Sequence, residues 1–134
     1  MLAIMRTSDL LGNRLARLLR EHGLTLSQYN VLRILRGEGK PLPCLEVAAR
    51  MIQVAPAITR VVDQLLAMDL ICKTQSSEDR RVFTIELRPA AIRRLAELDQ
   101  PVLDLHSTLV NGVKRSDLAS LIQTLEAIRA AIGS

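Results

Sequence analysis

The sequence predicts a mainly helical α+β fold in which one two-stranded hairpin interrupts a run of helices. Three observations carry that expectation. Leu and Ala dominate, while only 6 Gly and 5 Pro occur in 134 residues, which favours helix over sheet. Apolar residues recur at intervals of three and four along most of the chain. They alternate with polar ones in a single place, on either side of the run Ser76-Ser77-Glu78-Asp79-Arg80-Arg81.

The elements follow in order. Leu2, Leu10, Leu11, Leu15, Leu18 and Leu19 are spaced as a first helix, interleaved with Arg6, Arg14, Arg17 and Arg20, and Gly23 is placed to stop it. Ser27 stands where an N-cap belongs, so a second helix should run from Tyr29 to Arg36 with Val31, Leu32, Ile34 and Leu35 inward. Gly37-Glu38-Gly39-Lys40-Pro41 reads as a loop. Pro43 can open a third helix in which Leu45, Ala48 and Met51 share a face. After a break at Ile52-Gln53 comes a fourth, from Ala55 to Met68, with Ile58, Val61, Val62 and Leu65 as its buried stripe.

Leu70 to Gln75 and Val82 to Leu87 are the strands, with Phe83, Ile85 and Leu87 on one side. From Pro89 the pattern is helical again through Ile92, Leu95, Leu98, Val102, Leu105 and Leu109, and Pro101 is expected to kink or divide it. Ser116 should cap a last helix striped by Leu118, Leu121, Ile122, Leu125, Ile128 and Ile132. A short helix pair followed by a hairpin is how a winged helix-turn-helix reads in one dimension.

Charge gives only weak guidance. The net charge is +4, but all of it falls in residues 1–40; residues 41–88 carry six basic and six acidic groups, and residues 89–134 five of each. The excess therefore lies outside the helix pair and hairpin, and local placement has to carry any claim about nucleic acid. No apolar run reaches the roughly 18 residues of a membrane span. Arg6, Asp9, Arg14 and Arg17 break up any signal-peptide core, so a cytoplasmic location is expected.

Cys44 and Cys72 are too few for a disulfide scaffold and lack metal-ligand spacing, so no metal or cofactor is expected. They read as small packed side chains, and a redox-sensing thiol is the sharper alternative. His22 and His106 are lone histidines without a Ser/His/Asp arrangement or phosphate loop around them, so catalysis is not expected.

A helix that enters the major groove needs small or short polar groups on its leading turn, and Ala55, Pro56, Ala57 and Thr59 meet that demand. Arg60 can reach a phosphate or a guanine edge. Arginines at a hairpin tip can enter a narrow minor groove. Asp79 is expected to steady that tip by pairing with an arginine, Arg81 being one candidate, or by capping the turn's backbone amides. The candidate DNA contacts are thus Gln53, Ala55, Pro56, Ala57, Thr59, Arg60, Lys73, Ser76, Ser77, Arg80 and Arg81.

Val47-Ala48-Ala49-Arg50-Met51, then Pro56 to Leu65, Asp69-Leu70-Ile71, Asp79-Arg80-Arg81 and Leu87 resemble the MarR family of bacterial transcription regulators. Asp-Arg-Arg followed by a strand ending in Leu is the most specific part. The resemblance extends to Leu26-Ser27-Gln28-Tyr29 and to Ser116-Asp117-Leu118, nearly the whole chain. Ile52 stands where relatives often have Gly, and Leu87-Arg88 where they commonly have Leu-Thr.

The resemblance implies a homodimer whose first and last helices interlock, with two winged lobes meeting successive major grooves. It places Thr59 and Arg60 in the recognition helix and Arg80 and Arg81 in the wing. It also implies a small aromatic or phenolic effector held between the dimer helices and the reading lobe.

The expected organisation is one domain over 1–134, with a winged lobe at 27–88 and dimerisation helices at 1–22 and 89–134. Leu10, Leu11, Leu18, Leu109, Leu118, Leu121, Ile122, Leu125 and Ile128 are the expected dimer contacts. Apolar stripes on both terminal helices support pairing independently, since one small domain cannot readily cover them. The function expected is a repressor that binds a pseudo-palindromic double-stranded operator and is released by an effector. A thiol-based sensor and a winged-helix protein-interaction module are the alternatives.

Overall fold

A computed structural model describes residues 1–51 and 58–133. Two compact units divide the chain, Met1–Leu103 and Asp104–Ser134. Among the described residues there are six helices and three strands: α1 (Leu2–Glu21), α2 (Leu26–Glu38), β1 (Leu42–Pro43), α3 (Cys44–Ala49), α4 (Ile58–Ala67), β2 (Ile71–Gln75), β3 (Phe83–Leu87), α5 (Pro89–Leu109) and α6 (Arg115–Ile132). The mainly helical class with a hairpin wing is as the sequence predicts. The sheet has three strands rather than two, in the antiparallel order β1-β3-β2. Leu42 pairs with Ile85 and Pro43 with Thr84, a strand too short to show any alternation in sequence.

Helix α1 ends as Gly23 predicts. Gly23 takes φ +75, the Leu24 N–H reaches back to the Leu19 carbonyl at 3.0 Å, and Leu24 and Leu19 are both buried. That is the left-handed stop with its hydrophobic clasp. Asp69 does the same for α4 without a glycine, at φ 60, with the Leu70 N–H on the Leu65 carbonyl at 3.1 Å. Aspartate tolerates this region better than most side chains, which is why the stop was harder to see.

Several local expectations are corrected. The N-cap of α2 is Thr25, not Ser27: Thr25 Oγ1 accepts the Gln28 N–H at 3.1 Å and Gln28 Oε1 accepts the Thr25 N–H at 3.0 Å. This reciprocal box satisfies two donors, where a lone serine would satisfy one. The helix then runs through Gly37 to Glu38 and stops at Gly39, whose φ is 73, so the loop begins two residues later than expected. Pro43 is the N-cap of α3 and the end of β1. Leu45 does not share the inward face; it is 81% exposed while Val47 is fully buried.

Pro101 lies inside α5 without dividing it, and Ala91 takes the buried position expected of Ile92. Lys114, not Ser116, caps α6, with no side-chain hydrogen bond. Ser116 sits inside the helix, where its carbonyl accepts the Ser120 hydroxyl at 3.0 Å.

The core of the first unit is aliphatic, as the scarcity of aromatics requires. Val31, Leu32 and Leu35 of α2 meet Val62 and Leu65 of α4, Ile71 and Ile85 of the hairpin, and Leu95 and Leu98 of α5. An Arg36–Asp99 fork, with bonds of 3.0 and 2.9 Å, ties α2 to α5 at the edge of this core. In the second unit, no described residue of α6 is buried.

Candidate nucleic-acid interface

The interface is built on α4 and the hairpin. Val62 and Leu65 anchor one side of α4 in the core. Thr59 and Arg60 fall on its exposed side, as the period of 3.6 requires when 62 and 65 face inward. Gln53, Ala55, Pro56 and Ala57 lie outside the described residues, as does Ile52.

The hairpin register runs from Ile71 opposite Leu87 to Gln75 opposite Phe83. Its tip is closed by a dense set of bonds. The Ser76 N–H donates to the Val82 carbonyl at 2.8 Å and the Val82 N–H to the Asp79 carbonyl at 3.0 Å. Ser76 Oγ accepts the backbone N–H groups of Glu78 and Asp79 at 3.2 and 3.4 Å. Gln75 Nε2 donates to the Arg80 carbonyl at 2.6 Å. Ser76 is therefore occupied in shaping the turn, while Ser77 is exposed at the tip.

Asp79 pairs with Arg81, as expected. Its Oδ1 accepts the Arg81 backbone N–H at 3.0 Å and Nε at 3.2 Å. The backbone bond first, then the guanidinium, hold the Asp79 carboxyl below its ordinary range. The Arg81 side chain is nevertheless 91% exposed, so one edge of its fork is steadied while the rest faces solvent. Arg80 is exposed beside it. Lys73 lies over the Phe83 ring, 4.3 Å from its centre, a cation–π contact that holds the ammonium along the hairpin face.

Between α3, α4 and the hairpin lies a cavity of about 190 Å³. Cys44, Val62 and Phe83 contribute apolar wall, and Thr59, Lys73 and Arg81 contribute polar groups. The effector position implied by resemblance was elsewhere, between the dimer helices and the lobe. A larger, more open concavity of about 750 Å³ lies along α1, from Ile4 to Ala16 and Leu26.

Both cysteines are half-buried and free. Burial pushes the Cys44 thiol above its ordinary pKa, against the opposing pull of Lys73. Burial also raises that of Cys72, aided by Glu86, whose Oε1 accepts the thiol at 3.4 Å. Neither thiol has the lowered pKa that a reactive thiolate requires. Among the described residues no group of three or more His, Cys, Asp or Glu could hold a metal ion, and no helix is long and apolar enough to cross a membrane.

The expected dimer contacts divide into two kinds. Leu10, Leu11, Leu121, Ile122 and Ile128 are exposed large apolar groups. Leu109, Leu118 and Leu125 are half-buried, and Leu18 packs against the core of its own unit.

Two supports of the site were missed in the sequence. Gln28, 7% exposed, donates from Nε2 to Gln64 Oε1 on α4 at 3.0 Å. Arg50 bonds Glu46 at 2.8 Å and Glu38 at 2.7 Å, tying α3 to the end of α2. Thr25-x-x-Gln28 was a legible capping signal, but nothing in a linear pattern connects residues 36 apart.

Comparison with known proteins agrees with this architecture. Residues 24–83 match the model of the MarR family. A MarR transcription factor from Planctomyces limnophilus is 31% identical, with 94% of this chain and 92% of that one covered, at a TM-score of 0.74. A mutant MarR from E. coli complexed with operator DNA superposes at a TM-score of 0.84, with 20% identity and 94% and 90% of the two chains covered. The organohalide-sensing regulator RdhR, in its 2,4-dichlorophenol-bound form, reaches 0.87 at 18% identity, with 97% and 77% covered. The last two likenesses concern fold. With a near full-length relative at 31% identity and the winged helix-turn-helix in place, this chain belongs to the MarR family of transcription regulators.

Proposed function

We propose that the chain binds double-stranded DNA sequence-specifically as a homodimer, on a pseudo-palindromic operator, and acts there as a cytoplasmic repressor. The observation that carries this reading is the hairpin tip. Arg81 is held on one edge by Asp79 yet 91% exposed, beside an α4 that presents Thr59 and Arg60 to solvent. A guanidinium fixed in this way loses little conformational freedom on meeting a groove. The E. coli MarR relative crystallised with operator DNA supports the same use of the fold.

Arg80, Arg81, Lys73 and Arg60 would meet phosphate and groove edges, with Ser77 and the leading turn of α4 completing the footprint. Binding of this kind weakens steeply with salt because phosphate contacts release counterions.

Release belongs to a small aromatic or phenolic effector. The cavity beside Thr59, Lys73 and Arg81 has apolar walls for a ring and cations for an acidic group. A ligand there would compete for Arg81 and alter the wing, which gives it the differential affinity for free and DNA-bound states that any effector needs. The dichlorophenol-bound relative supports this ligand class.

Genomic fragments captured by the purified protein and sequenced would test the reading. Enrichment of a few sites with two half-sites roughly one DNA turn apart is expected. Uniform recovery of fragments would leave the protein-interaction module as the better account.

A further inference from the structure

The buried stripe of α4 sets its rotation coarsely, because the helix cannot turn far without exposing Val62 and Leu65. Val62 and Leu65 are buried, but apolar burial is non-directional. Gln64 stands between them in sequence and makes a bond with a direction, accepting Gln28 Nε2 at 3.0 Å. Among the described residues' hydrogen bonds, this is the side-chain pair that joins α2 to α4.

The orientation of both amides is forced. The Thr25 backbone N–H can only donate, so Gln28 must turn Oε1 toward it, at 3.0 Å. That leaves the Gln28 amino group for Gln64, which must answer with its own oxygen. Gln28 is 7% exposed, so water has little access to replace Gln64 as its partner. The capping box of α2 and the rotation of α4 therefore share one amide. Arg60 precedes Gln64 by four residues, so both lie near one line along the helix. Any turn of α4 at Gln64 is carried to Arg60 and Thr59.

We infer that the Gln28–Gln64 bond is a positioning device that sets the rotation of the recognition helix, and through it the discrimination between operator and other DNA. The inference rests on the DNA-binding reading above. Discrimination is the sensitive quantity because base-edge hydrogen bonds require close geometry, whereas attraction to phosphates tolerates small displacements.

The test uses the full chain and the most enriched genomic fragment, against a shuffled duplex of equal length and composition. Gln64→Met removes the acceptor at similar length, while Gln64→Glu keeps an acceptor for Gln28. Gln64→Met should lose about tenfold in the ratio of the two affinities, with the salt slope on shuffled DNA unchanged. Gln64→Glu is read by the ratio and not by affinity alone, since its charge repels both duplexes, and it should retain that ratio. An unchanged ratio in Gln64→Met, or an equal loss in Gln64→Glu, would overturn the inference.

Should Gln64→Met fail to fold, Gln64→Ala, which removes the acceptor with a strong helix former, takes its place in the same comparison. In the wild-type chain, side-chain amide protons of Gln28 should exchange slowly, and fast exchange would also count against the bond. If the wild-type chain prefers no fragment, the DNA-binding reading fails and the inference falls with it, whatever the amide exchange shows.

Discussion

Arg81 illustrates how a charged residue becomes useful only after its neighbours have acted. A free arginine at a hairpin tip carries about 2 kcal/mol of rotamer entropy, which binding must remove. Asp79 removes part of it beforehand, bonding both the backbone and the guanidinium of Arg81. Arg81→Ala should therefore weaken operator binding by about 1–3 kcal/mol while leaving the thermal transition of the folded chain near its wild-type value. Equal affinities in a folded variant would remove the wing from the interface.

The Asp79 contribution has a definite pH dependence. Its carboxyl titrates below the unfolded value, so the steadied tip is fully present above the ordinary carboxylate range and is lost as pH falls through the folded value. A carboxyl NMR titration should report a midpoint below that of a model aspartate. Both thiols shift the other way, so the protonated form persists above the ordinary cysteine range. Iodoacetamide should label Cys44 and Cys72 slowly at neutral pH, and peroxide should leave operator binding intact. Release by peroxide that vanishes in the Cys44→Ser, Cys72→Ser double variant would restore the redox alternative.

Elements here are set by their ends as much as by their stripes. Thr25 and Gln28 close the start of α2 reciprocally, and the same Gln28 reaches α4. Thr25→Ala should cost about 1 kcal/mol, visible as a fall of roughly 3–6 °C in the thermal transition. A Ser27→Ala variant should change little, because Ser27 caps nothing. The short β1 widens the wing into a three-stranded sheet and gives β3 a neighbour on each side. With both edges of β3 paired, only β1 and β2 are left as sheet edges, and β1 is two residues long, a short edge that discourages strand addition.

At the scale of the whole molecule, the main expectation is the second copy. Helix α1 exposes Leu2, Met5, Leu10 and Leu11, and α6 exposes Leu121, Ile122, Ile128 and Ile132. A chain of this size gains little by leaving so much apolar surface wet. Light scattering should report a dimer, and its thermal transition should rise with protein concentration, as mass action requires. Replacing both Leu121 and Ile122 with arginine should yield monomers with lower stability and much weaker operator binding. A dimer that persisted in that variant would exclude α6 as the pairing surface.

What the sequence determined by itself was local and periodic. Inward Val31, Leu32 and Leu35, the stripe of α4, the alternation of Phe83, Ile85 and Leu87, and the Gly23 stop are each set by contacts within a few residues, so spacing reveals them. The pairing of Asp79 with Arg81 was legible for the same reason, being two residues apart. Tertiary structure decided the rest. Leu45 and Val47 are both apolar on one short helix, and only packing against α2, α4 and the sheet selects Val47. β1 exists because β3 has a free edge for it, and Pro101 stays within α5 because one missing backbone bond is outweighed by the helix on either side. The Gln28–Gln64 bond joins two helices through amides that, in sequence, are two ordinary polar residues; only folding makes them a pair.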